Sequence, residues 1–308
     1  MREDEVDVDA STVGRLIAAQ FPEWASLRVR RLRSSGTENA MFRLGADMVV
    51  RLPRYPGAVG SVAHEQRWLP RLGPLLPVPT PAPLRRGRPG AGFAWPWSVY
   101  RWLDGRNPVA GAVAEPASLA GDLAGFVGAL RRVDAHDGPP CPRGVPLAAR
   151  DTATREAIAQ LDGRVDTEAV TARWEEALAA PEHTGPPLWA HGDLSPGNVL
   201  VADRRLSAVI DFGCAGVGDP AVDLIVAWNL LPASARGVFR ETVGADDAEW
   251  ARGRGWALSV SLIQLPYYWE TNPPLAENSR HVIREILAES AQGCGPVPRT
   301  RTDPHSPA

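Results

Sequence analysis

Between His191 and Gly213 the chain gathers residue types that can handle phosphate chemistry. The loop His191-Gly192-Asp193-Leu194-Ser195-Pro196-Gly197-Asn198 offers a carboxylate and a carboxamide. An apolar run from Val199, the turn Ala202-Asp203-Arg204-Arg205 and a second apolar run follow, ending in Asp211-Phe212-Gly213. A strand-turn-strand over Asn198–Phe212 would bring Asp193, Asn198 and Asp211 to one end of a hairpin. Two carboxylates and an amide oxygen suit Mg²⁺, a hard cation that takes oxygen ligands and shares itself with substrate phosphates. Phosphoryl transfer needs such a metal, and a carboxylate that orients and deprotonates the acceptor hydroxyl. Either motif alone reads as an ordinary loop or strand end. Together, at this separation, they point to chemistry.

Such a hairpin needs a scaffold. Val13–Gln20 reads as a short amphipathic helix with Ser11 and Thr12 as cap candidates. Leu27–Leu32, Ala40–Leu44 and Met48–Leu52 alternate as strands. Val62–Leu72 has helical periodicity, Pro74–Pro83 is extended, and Phe93–Leu103 has strand character in its second half. This order describes a small antiparallel sheet with one packed helix. Beyond Pro116 the pattern is helical, over Ser118–Val133, Ala148–Leu161, Thr167–Ala179, Val222–Leu231, Ala248–Leu265 and Asn278–Glu289. The fold class expected is α+β and two-lobed, with residues 1–98 a β-rich lobe, 99–104 a crossover, 105–292 a mainly helical lobe, and 293–308 a tail of disordered composition.

Composition excludes more than it assigns. At 308 residues and 33.1 kDa the chain is long for one core, so two lobes are reasonable. A net charge of -3 provides no basic field for nucleic acid, and Arg85-Arg86-Gly87-Arg88 reads as a solvated turn. All 33 Lys+Arg residues are arginine, so chemistry that commonly uses lysine must use arginine here. Cys141, Cys214 and Cys294 lack metal-ligand spacing and fit a reducing compartment. Met1–Asp9 is acidic and without the apolar core of a signal peptide, and no apolar stretch reaches the ~20 residues of a membrane helix. A cytoplasmic protein, monomer or dimer, with no membrane or nucleic-acid partner is expected.

His191–Asn198 and Ile210–Gly213, followed by Gly218-Asp219-Pro220-Ala221-Val222-Asp223-Leu224, resemble the aminoglycoside phosphotransferase family of kinase-like enzymes. Met48–Pro53, the Glu65 helix, Trp95–Gly105 and Gly255–Pro273 resemble segments of its broader bacterial branch. The resemblance implies a protein-kinase-like fold with residues 1–98 as the nucleotide-binding lobe and 99–104 as its hinge, ATP or GTP and Mg²⁺ as cofactors, Asp193 as catalytic base, and Asn198 and Asp211 as metal ligands. It puts Arg51 in the place of the phosphate-binding lysine, with Glu65 as its partner. Guanidinium geometry differs there from that of a point-charge ammonium. Ser34–Asn39 resembles the phosphate-covering loop, with Ser35, Gly36 and Thr37 facing phosphate. Val99 and Tyr100 would lie where the hinge offers backbone groups to the adenine edge. Trp95, Trp97 and Trp102 read as packing under the hinge and sheet.

The acceptor is read from what is missing. A protein kinase has a long activation segment between D-F-G and A-P-E, but Gly213 is followed almost at once by Gly218-Asp219-Pro220. A small hydroxylated molecule is therefore preferred to a polypeptide. A cationic aminoglycoside would favour carboxylates, and Asp104, Asp223 and Glu270 are candidates, with Trp269 beside them. The aromatic cluster Tyr267-Tyr268-Trp269 would equally suit a macrolide. The function expected is an O-phosphotransferase acting on an antibiotic. Metabolic kinases of choline, homoserine or a sugar-like alcohol, a nucleotide-binding pseudoenzyme, and an Mg²⁺-dependent hydrolase with Asp193 as nucleophile are the alternatives.

Overall fold

The computed structural model describes residues 5–32, 36 and 38–292, with the side chains of 290–292 excepted. Ser35, Thr37 and the 293–308 tail lie outside the described residues. Helix α1 (Ala10–Gln20) begins at Asp9, whose carboxylate accepts from the Thr12 N–H at 2.7 Å. The cap is therefore Asp9 rather than Ser11 or Thr12, and it satisfies a helix-start donor that would otherwise lack a partner. Strands β1 (Val29–Arg31), β2 (Asn39–Leu44) and β3 (Met48–Pro53) form an antiparallel meander, and helix α2 (Val59–Leu72) follows. Strands β4 (Pro83–Gly87) and β5 (Trp97–Arg101) complete a five-stranded sheet in the order β1-β2-β3-β5-β4.

The arginine-rich segment at Arg85 is thus part of an edge strand. Its ladder explains how exposed guanidiniums and a proline are tolerated, because an edge leaves one side of the backbone to solvent. Trp97 is fully buried in the N-terminal core with Phe42, Leu44, Val50 and Leu52. Trp102 is half-buried, with the Arg43 guanidinium 3.7 Å from its ring centre.

The remainder is mainly helical. It contains α3 (Pro116–Arg131), α4 (Asp151–Gln160), α5 (Thr167–Leu178), the short β6 (Leu188–Ala190), and the hairpin β7 (Val199–Ala202) and β8 (Arg205–Val209). Next come β9 (Gly216–Gly218), α6 (Val226–Asn229), α7 (Ala233–Val243), α8 (Asp247–Tyr268) and α9 (Pro273–Gln292). Where a helix over Val222–Leu231 was expected, a 3₁₀ segment (Pro220–Ile225) leads into the brief α6. A second core runs through α3, α5, α8 and the hairpin, and reaches Trp68, Leu69, Leu72 and Tyr100 of the sheet region. That contact fixes the β-rich part against the helical part, and the site lies where they meet. Among the described residues no helix is long and apolar enough to cross a membrane.

Candidate active site

Strand β6 ends at Ala190 and delivers the loop His191–Asn198, which polar side chains from distant segments hold in place. Asp223 is buried and accepts the His191 and Gly192 N–H groups, each at 2.8 Å. The Asn107 amide is directed at the carbonyls of Pro196, Gly197 and Val199 at 3.1, 2.8 and 3.0 Å. Asn229 donates to the Leu194 carbonyl at 2.8 Å. The His191 ring is buried beside Phe212; its Nδ1 accepts from the Asp193 N–H at 3.2 Å, and its Nε2 lies 3.1 Å from the Ile210 carbonyl. Those partners fit Nδ1 as an acceptor and Nε2 as a donor. The ring is an internal strut rather than a group that meets substrate.

The loop and the hairpin close on each other. Ile210 donates its N–H to the Asn198 carbonyl at 2.9 Å, which sets Asp211 beside Asn198. Asp211 has φ 67°, a left-handed conformation that costs a non-glycine residue energy and that clusters at functional sites. The turn aims its carboxylate at Arg51, whose Nη2 donates to Oδ1 at 2.9 Å. Asn198 spends its amide N–H groups on the Asp193 carbonyl at 2.8 Å and on Oδ2 at 3.1 Å. That orientation turns the amide oxygen of Asn198 away from Asp193.

Arg51 on β3 and Glu65 on α2 meet, as the resemblance implied. Arg51 Nη1 donates to both Glu65 oxygens at 2.9 and 3.0 Å. Glu65 also accepts the Tyr100 hydroxyl and, at 3.0 Å, the Phe212 N–H. Burial pushes the Glu65 carboxyl up, opposed by Arg51. Burial would likewise raise Asp211, but the adjacent Arg51 guanidinium outweighs it and holds that carboxyl below the usual range.

Two expectations are corrected. Asp223 lines no cleft; it is buried against the His191–Asn198 loop, and burial pushes its carboxyl up. Val99 and Tyr100 cannot serve a base through their backbones, because β5 is paired on both sides with β3 and β4. Tyr100 contributes its hydroxyl instead, and the chain leaves the sheet only after Arg101. Asp104 lies just beyond, exposed, accepting from Trp102 Nε1 at 2.7 Å. Gly36 is exposed in the β1–β2 connection. Trp269 ends α8 half-buried, with the guanidiniums of Arg164 and Arg280 at 4.7 and 5.1 Å from its ring centre. Glu270 is exposed and makes no ion pair among the described residues.

One site residue escaped the sequence reading altogether. Arg143, in the connection between α3 and α4, donates through Nη1 to Asp193 Oδ1 and, at 3.3 Å, to the Gly192 carbonyl. Asp193 raises its basicity, against the opposing effect of burial. The complete arc runs Glu65, Arg51, Asp211, Asn198, Asp193, Arg143.

Residues 29–256 match the family model of the phosphotransferase enzyme family. The chain belongs to that family. Its two-lobed, kinase-like fold is shared with solved structures. One is the GDP complex of a wild-type aminoglycoside 2'-phosphotransferase-IIIa, at 21% identity and TM-score 0.72, covering 92% of this chain and 100% of that one. A GDP and kanamycin complex of an APH(2'')-IIIa phosphotransferase has 22% identity and TM-score 0.73, with 92% and 99% covered. A macrolide 2'-phosphotransferase from Brachybacterium faecium has 24% identity and TM-score 0.60, with 89% and 97% covered. No curated protein matches the sequence. As a family member, the chain is a small-molecule phosphotransferase with a hydroxyl acceptor.

The donor set suits Mg²⁺. Among the described residues no three His, Cys, Asp or Glu side chains cluster as a self-sufficient metal cage. One carboxylate and one amide oxygen, from Asp211 and Asn198, agree with an ion that keeps waters and takes the rest of its shell from nucleotide phosphates.

Proposed function

We propose that this phosphotransferase moves the γ-phosphoryl group of an Mg²⁺-bound nucleoside triphosphate, ATP or GTP, to a hydroxyl of a small natural product. The observation that carries this reading is the continuous arc from Arg51 through Asp211 and Asn198 to Asp193. Asp193 accepts the hydroxyl proton as the acceptor oxygen bonds to phosphorus and the bond to the nucleoside diphosphate oxygen breaks. Asn198 holds Asp193 in orientation through the two bonds from its amide. Asn198 and Asp211 would hold Mg²⁺, which neutralises phosphate charge when bound. Arg51 brings a charge-assisted donor to the phosphates while remaining fixed by Glu65.

An antibiotic acceptor is supported by the solved structures of similar fold, which include aminoglycoside and macrolide phosphotransferases. A polypeptide acceptor is disfavoured, because Asp219 caps the 3₁₀ segment Pro220–Ile225 directly after β9, with no docking segment between. The test is nucleoside diphosphate release against a panel of aminoglycosides, macrolides and small alcohols, with phosphorylated product verified by mass. Stoichiometric product and diphosphate are expected from one antibiotic class. Release of inorganic phosphate with every acceptor left unmodified would refute transfer.

A further inference from the structure

The loop from Asp193 to Asn198 contains no cation, and the chain contains no lysine. Charge accumulates on the oxygens of a phosphoryl group in flight, and an active site stabilises it with fixed donors. Arg51 covers one side only: its Nη1 is committed to Glu65 and its Nη2 to Asp211. On the other side of the arc the guanidinium in contact with the base is Arg143.

The backbone beneath Arg143 is rigid. Cys141 donates to the Val217 carbonyl at 2.9 Å, Gly144 to Cys141 at 3.0 Å, and Asp219 to Gly144 at 2.9 Å. The side chain is not enclosed, since about a third of its surface is exposed (32%). Arg150 lies close enough that, after burial, the charge of Arg143 lowers its basicity. Arg150 has the Ser259 hydroxyl at 3.3 Å and the Trp256 ring at 5.5 Å, and no carboxylate within 4 Å among the described residues. Arg143 is thus partly open beside Asp193, and Arg150 adds a second positive charge whose influence reaches Arg143. This local excess of positive charge fits an incoming anion beside Asp193.

Resting on the phosphotransfer reading above, we propose that Arg143 is a catalytic residue whose guanidinium contacts the γ-phosphoryl group during transfer, and that in the nucleotide-free state it rests on the base. The phosphorus–oxygen bond to the diphosphate breaks and that to the acceptor oxygen forms. The hydroxyl proton passes to Asp193, and Arg143 supplies charge without gaining or losing a proton.

The experiment is calorimetric titration of wild type, Arg143→Ala and Arg143→Lys with Mg²⁺-AMP-PNP, which has a γ-phosphoryl group, and with Mg²⁺-ADP, which does not. Loss of a charge-assisted bond predicts roughly 10- to 100-fold weaker AMP-PNP binding in Arg143→Ala. ADP affinity should stay within about 3-fold, which also certifies the fold, and Arg143→Lys should recover part of the loss. If Arg143 only steadied the loop, the two nucleotides would respond alike. An unchanged ratio of AMP-PNP to ADP affinity in Arg143→Ala overturns this assignment alone. Wild-type protein that binds neither this adenine pair nor the guanine pair, Mg²⁺-GMP-PNP and Mg²⁺-GDP, overturns the phosphotransfer reading beneath it.

Discussion

The candidate site contains two arginines resting on carboxylates, and they are held in opposite ways. Arg51 and Glu65 have side-chain exposures of 9% and 2%, inside a network that Tyr100 and the Phe212 N–H complete. Arg143 and Asp193 have 32% and 36%, with the guanidinium anchored, among the described residues, to the carboxylate and one carbonyl. Removing one partner of a buried pair strands the other charge in a medium that cannot solvate it, whereas water replaces an exposed partner cheaply. The first pair is therefore architecture that also presents charge. The second is free to trade its carboxylate for a phosphate.

The sharpest way to break this comparison is at the base. Asp193→Asn keeps the shape but cannot accept a proton, so kcat should fall roughly 100- to 10,000-fold with the fold and nucleotide binding preserved. Turnover at the wild-type rate would remove Asp193 from the mechanism.

Next is the buried pair. Arg51→Ala should cost about 3–5 kcal/mol of stability, read by urea denaturation, and should weaken ADP and AMP-PNP together. Arg51→Lys should fold better and bind with intermediate affinity, because one ammonium cannot span Glu65 and Asp211 as the fork does. A loss confined to AMP-PNP would erase the contrast with Arg143.

Gly192 sets the approach of the loop. Its φ is +77°, and a Cβ there would lie 2.8 Å from the Cys214 carbonyl and 2.9 Å from Cys141 Sγ. Gly192→Ala should therefore cost about 1–3 kcal/mol and lower kcat by displacing Asp193. Denaturation and kinetics on the same sample check both effects.

Acid isolates Asp211. Its carboxyl is lowered in the fold, so its stabilising contribution is complete above the ordinary value of 3.8 and is lost as pH falls through the lower folded value. Between about pH 5 and about pH 2.5 the wild-type urea midpoint should drop further than that of Asp211→Asn. Equal drops would place the acid sensitivity elsewhere.

The smallest effect closes the comparison. Arg143→Ala should change stability by about 1 kcal/mol or less, as expected for a partly exposed pair. A penalty equal to that of Arg51→Ala would make Arg143 a structural residue.

Elements with strong periodicity, such as α1, α2 and the β7–β8 hairpin, could be read from the chain because their apolar spacing is a local property. Strands β6 and β9, three residues each, and the edge strand β4 could not. Segments that short are fixed by their ladder partners, and β6 pairs with β9 across the whole catalytic loop and hairpin, Ala190 opposite Gly216. Helix α7 passed unread because its amphipathic pattern follows Pro232 without a polar cap. The β1–β2 turn lies partly outside the described residues.

In the site, the sequence by itself determined the carboxylates and the amide, since Asp193, Asn198 and Asp211 sit within two short motifs whose spacing is chemical. The pairing of Arg51 with Glu65 came through the family resemblance of Met48–Pro53 and the Glu65 helix. Tertiary structure alone decided which polar groups stay open at the site and which hold the loop. Asp223 looks like any carboxylate near a motif, yet it is buried on two backbone donors. Arg143 and Asn107 reach the loop across 50 and some 90 residues. A contact of that kind leaves no periodicity in the chain: it arises only when packing of the two cores brings distant turns within bonding distance, and its energy depends on burial that no single segment possesses.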